Sequence, residues 1–94
     1  MALLLIGYDL NREGPNYSAN NKRLRDKISE MFGTRWNSLD STWLVVTDME
    51  PLDVANALWA VMDGNDELLV APIAPGSAYA GFNEKSAAWL EKHL

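Results

Sequence analysis

Apolar positions along the chain change period several times, and each change marks an element. Residues 3–11, LLLIGYDLN, run from continuous apolar residues through Gly7 and Tyr8 to the acid Asp9, with no helical spacing. A short run of this kind, closed by Asn11, Gly14 and Pro15, predicts a strand buried on both faces that emerges at Asp9. Residues 11–18 form a loop around the Gly14-Pro15 turn signal. From Tyr17 the pattern becomes helical, with Tyr17, Leu24, Ile28, Met31 and Phe32 on one face. Asn16 or Ser18 is placed to cap this helix and Gly33 to stop it. Residues 34–39 and 42–48, rich in Thr, Trp and Val, read as a hairpin turning at Asp40-Ser41.

A second helix is predicted over residues 51–62. Pro51 suits its first turn, Glu50 and Asp53 suit its dipole, and Val54, Ala55, Leu58, Val61 and Met62 form its apolar face. Gly64 ends it, and LLVAPI (68–73) is the last buried strand. Residues 74–82 are Gly, Pro and small residues, either a linker or a short extra strand. Asn83 then caps a terminal amphipathic helix with Trp89, Leu90 and Leu94 on its apolar side. Strand, helix, strand, strand, helix, strand is the ferredoxin-like βαββαβ motif, an α+β sandwich with both helices on one face of a four-stranded antiparallel sheet. The whole chain, 1–94, reads as a single domain with a core at 2–73 and a C-terminal extension at 74–94.

This order leaves the second face of the sheet to be accounted for. Leu3 and Leu5 point away from Leu4, Ile6 and Tyr8, and Leu69 and Ile73 away from Leu68 and Val70. An apolar face of that size is not left in water. A second copy, the C-terminal segment or both could cover it; a homodimer, the commonest assembly, is the expected cover, with the Trp89 helix folding back in the same chain as the alternative.

Composition then narrows the function. At 94 residues the chain holds one core, and 48% hydrophobic content with four Trp excludes disorder. It has no cysteine, which removes disulfides and thiolate metal sites and fits a reducing cytoplasm. The apolar N-terminal run lacks a preceding basic residue and ends at Asp9, unlike an export signal. No run reaches the roughly 18 apolar residues of a membrane span. Net charge is −5, and residues 1–40 hold six basic against five acidic side chains. The rest of the chain is strongly acidic, which argues against a generic phosphate-backbone binder.

The stretches LLLIGYDLN, GYDLNREGPNY, LDSTWLVVTD and NDELLV carry a family resemblance over residues 3–73. With the βαββαβ order, they resemble the small CRISPR-associated adaptation subunit and the VapD-type toxins, and most closely the SinR-like proteins placed near them. The resemblance implies that Asp9, at the end of the first strand, is a metal ligand and catalytic residue. Two copies of it would share Mg²⁺ at the two-fold of a homodimer and activate water for phosphodiester cleavage. Members of that family cleave RNA, cleave DNA, or act as scaffolds. The acidic charge here, and a loop at 8–17 without a basic run, speak against the DNA-scaffold role.

The residues suggest chemistry of their own. With strand order 4-1-3-2, Asp9 is expected to share a rim with Asp48 and with Asp66 or Glu67, an oxygen-ligand set suited to Mg²⁺. Each acid has a plainer reading, Asp48 as a helix cap and Asp66 as a turn residue. Asn11 and Arg12, just beyond Asp9, are candidate nucleic-acid contacts. Trp36 and Trp43 either stack on bases or fill the core. Lys22, Arg23, Arg25 and Lys27 form either a nucleic-acid patch or a solvated helix face, and His93 suits the helix C-terminus. No Ser-His-Asp or Cys-His set, Walker loop or zinc spacing is present. Two functions lead, a metal-dependent endonuclease on RNA or DNA and a non-catalytic dimeric module that binds protein or nucleic acid; a small-molecule regulatory domain shares the fold class but has no ligand motif here.

Overall fold

The computed structural model of the protein describes residues 2–10 and 16–94. Its elements are β1 (Ala2–Asp9), α1 (Tyr17–Met31), β2 (Arg35–Leu39), β3 (Thr42–Thr47), α2 (Pro51–Trp59), β4 (Glu67–Pro72) and α3 (Glu84–His93). One four-stranded sheet runs β2-β3-β1-β4 with every neighbouring pair antiparallel. Read from β4, that is the order 4-1-3-2. β1 therefore lies inside the sheet, bonded to β3 on one side and β4 on the other.

Alternation along β1 divides the protein into two cores. Leu4, Ile6 and Tyr8 face α1 and α2 and are buried with Trp43 and Val45 of β3. Helix α1 meets them with Leu24 and Ile28, spaced four apart, Phe32 joins them from just beyond its end, and α2 adds Val54 and Leu58. The Trp43 indole N–H donates to the Tyr8 hydroxyl at 3.1 Å, so both polar tips are satisfied inside this layer. The Arg25 guanidinium lies 5.1 Å from the centroid of the Trp43 ring, within cation–π range.

The second core is built around Trp36, Leu44 and Leu90, with Leu3, Leu5, Ile73, Phe82, Trp89 and Leu94 packed against it. Its cover is α3. The helix begins at Asn83, whose side chain accepts from the Ser86 N–H at 2.9 Å, as expected from its position before the apolar stripe. The Phe82 ring meets Trp36 edge-on at 5.1 Å, and the Trp36 indole N–H donates to the Ser86 carbonyl at 3.3 Å. The expectation that a second copy covers this face is thus replaced over its centre: the alternative cover, the chain's own Trp89 helix, lies there. Leu39 and Leu69, at its margins, stay 47% and 62% exposed.

Element ends depart from the predicted stops. Helix α1 closes because Phe32 is already extended (φ −126°, ψ 117°) rather than through a left-handed Gly33. Helix α2 ends at Trp59, three residues early, and Val61 and Met62 reach the first core from the following turn. The hairpin turn tightens without glycine because Ser41 itself takes φ 57°, a conformation uncommon for a side-chain-bearing residue.

Two outcomes test this packing. Leu90, 2% exposed, anchors α3, and Leu90→Ala is expected to lower unfolding free energy by about 2–4 kcal/mol in urea titration. The Tyr79 hydroxyl donates to a Glu91 carboxylate oxygen at 2.6 Å, and that hydrogen bond chiefly raises the phenol above its usual 10.0. The bond's contribution is therefore complete below the unfolded phenol's pKa and fades as pH rises through the raised folded value. Alkaline spectrophotometric titration should show the Tyr79 phenol ionising earlier in Glu91→Gln than in wild type.

Candidate functional site

The Asp9 rim is set by strand register. Asp9 ends β1 and pairs directly across from Glu67, the first residue of β4. Both side chains are exposed. By alternation they share the sheet face that carries Leu3 and Leu5. The Tyr8 N–H donates to the Ser41 carbonyl at 3.1 Å, which brings the Asp40–Ser41 turn to the same rim. Two carboxylates directly opposite on adjacent strands repel one another, and this pair is placed where water or a cation can reach it.

The other predicted acids do not join them. Asp48 follows the end of β3, and because β3 runs antiparallel to β1 its last residue, Thr47, pairs with Ala2. Asp48 is therefore at the opposite rim, lining a groove of about 460 Å³ with Ala2, Met49, Glu50 and Pro72. It does not cap α2 either, since the cap position is Glu50. Asp66 is buried (6% exposed) and serves its turn: a side-chain oxygen accepts from the Asp63 N–H at 2.8 Å, and its own N–H donates to the Asp63 carbonyl at 3.1 Å. Among the described residues no three His, Asp or Glu side chains gather into a metal-holding group. Asn11 and Arg12 lie outside the described residues.

The aromatic and basic candidates resolve in favour of structure. Trp36 and Trp43 are 6% and 4% exposed, so neither offers a face to a base. On α1, Lys22 pairs with Asp26 at 2.5 Å, Arg23 hydrogen-bonds the Asn20 side chain, and Arg25 is taken up by Trp43. The resulting groove of about 440 Å³ mixes Lys22, Arg23 and Lys27 with Asp26 and Glu30, which leaves little net field for a phosphate chain. His93 stacks on Trp89 at 4.1 Å between ring centroids.

One polar connection was missed. Asn20 is nearly buried, donates to a side-chain oxygen of Asp63 at 2.7 Å and accepts from Arg23. It ties α1 to the turn that precedes β4. The signal was present, because Asn20 falls one helical step before Leu24 and Ile28 on the inward face, where a polar side chain must find a partner.

No protein-family model matches this sequence, and no curated protein matches it. Among the described residues no helix is long and apolar enough to cross a membrane.

The rim yields a direct test. Asp9→Asn removes the carboxylate repulsion across β1 and β4, so in low salt it should raise stability by roughly 0.2–1 kcal/mol. The gain should shrink in high salt, where exposed charges are screened, as read from urea midpoints at both ionic strengths.

Proposed function

We propose that the chain is a ferredoxin-like domain related to the CRISPR adaptation subunits and SinR-like proteins, and that it is a metal-dependent endonuclease on RNA or DNA. Asp9 is its metal ligand and catalytic residue. The observation that carries this reading is the placement of Asp9, exposed at the sheet rim and directly across from Glu67. Mg²⁺ takes one or two protein carboxylates and completes its shell with water and substrate phosphate, and the two oxygen donors here suit that demand. When bound, the ion would supply Lewis-acid stabilisation of the phosphate and an activated water. Asp9 and Glu67 would hold it by charge, and their mutual repulsion is relieved when it binds. Asn11 and Arg12, next along the chain, would contact the phosphate. The reducing cytoplasm is the compartment that fits a chain without cysteine.

A second reading is favoured by Leu69, exposed beside Glu67: a non-catalytic module that binds a protein or nucleic-acid partner. A paired assay separates the two. Wild type and Asp9→Ala are incubated with single-stranded RNA and duplex DNA, with Mg²⁺ and with chelator. The nuclease reading expects Mg²⁺-dependent cleavage that falls at least about a hundredfold in Asp9→Ala, with circular dichroism unchanged. No cleavage by wild type in Mg²⁺ or Mn²⁺ would leave the binding module.

A further inference from the structure

Where the second core reaches the β2–β3 hairpin, a cavity of about 170 Å³ remains between the sheet, α3 and residues 74–82. Leu5 and Leu44 wall it from the sheet, Ile73 from just past β4, and Leu90 and Leu94 from α3 and its cap. Part of the room comes from small residues at this corner. On this face of β1 the residue after Leu5 is Gly7, which pairs with Thr42 of β3 and adds no side chain.

Three of the lining side chains are aromatic and adjacent in series. Phe82 meets Trp36 edge-on at 5.1 Å and Tyr79 at 6.4 Å between centroids, the second pair tilted by 44°. Among the described residues that line the cavity none is charged. The hydroxyls of Ser77 and Tyr79 already donate, to the Ala74 carbonyl at 3.1 Å and to Glu91. Residues 74–82 cross the outside without helix or strand, and Ser77, Ala78 and Tyr79 are exposed although all three line the cavity. This cover is therefore one chain thick. Gly76 (φ 99°) and Gly81 (φ 84°) hold left-handed turns on either side of it. A molecule that displaces the cover reaches the cavity without disturbing the sheet or α3.

We propose that this cavity is a binding site for a neutral, single-ring aromatic molecule about the size of toluene. Apolar cavities of about 150 Å³ stay dry and take benzene, so the space here suits one ring. An unfilled void costs stability in proportion to its volume, because the lining atoms lose contacts. A chain this short has little stability to spare. A ring placed there restores those contacts and gains Trp36 and Phe82 as edge-to-face partners, an arrangement that aromatic groups favour. The walls select charge as well as shape. A carboxylate or ammonium would lose its water against them and find no partner, and the net charge of −5 further disfavours anions. A nucleobase fits poorly for a related reason, since its ring edge carries donors and acceptors that apolar walls leave unpaired. The site is thus independent of the Asp9–Glu67 reading and stands or falls without it.

The test uses toluene as the probe and benzoate as its charged counterpart. Isothermal titration should give one toluene per chain with a dissociation constant of about 1 mM or tighter, and benzoate at least about tenfold weaker. In proton–nitrogen spectra the indole N–H of Trp36 should shift on saturation, while that of Trp59, exposed on α2, should stay in place. Ala78→Phe fills the cavity from its exposed cover and should weaken toluene binding at least about tenfold, with circular dichroism unchanged. Ala80→Phe, two residues on and outside the lining, should bind as wild type does. No saturable binding, equal binding of benzoate, an unmoved Trp36 signal, full affinity in Ala78→Phe, or an equal loss in Ala80→Phe would overturn the proposal.

Discussion

A strand that is apolar on both faces has to be covered twice, and β1 imposes that requirement on the whole chain. Leu4, Ile6 and Tyr8 demand one layer, and Leu3 and Leu5 demand another. Helices α1 and α2 supply the first and α3 the second, so a sheet of four short strands becomes the middle of three layers. For a chain this short the second layer matters energetically. A single small core leaves little margin over the conformational entropy of ordering the chain. Burying Trp36, Leu44 and Leu90 adds apolar area that one helical layer cannot provide.

How much of this could be read beforehand follows from what periodicity encodes. The hairpin, both early helices and the buried strands each carry their signature in neighbouring residues: alternation in β1, the step of four from Leu24 to Ile28, Pro51 ahead of Val54 and Leu58. The destination of α3 carries no such signature. A stripe of Trp89, Leu90 and Leu94 states that a face will be buried but not whose sheet will bury it, and that is decided by the Asn83 cap, Phe82 and the Ser86 carbonyl meeting Trp36. Gly33 and Gly64 read as helix stops, yet neither adopts the left-handed conformation that makes glycine a stop.

The acidic rim was half legible for a geometric reason. Asp9 and Glu67 meet because β1 and β4 are antiparallel neighbours, so the end of one lies beside the start of the other. The same rule sends Asp48 away, since the end of β3 lies beside the start of β1. Asp66 differs again: next in sequence to Glu67, it turns inward to close a loop with Asp63, and the Asn20–Asp63 bond fastens that loop to α1. Adjacent carboxylates thus divide between holding the backbone and facing solvent.

The placement of α3 has a consequence for biogenesis. The ribosome releases β1 to β4 before α3, so the nascent sheet can form with Leu3, Leu5, Leu44 and Ile73 bare on one side. Until α3 arrives, that surface is the sort that chaperones hold and that neighbouring nascent chains stick to. Any change that slows the docking of α3, such as loss of the Asn83 cap, would prolong this interval.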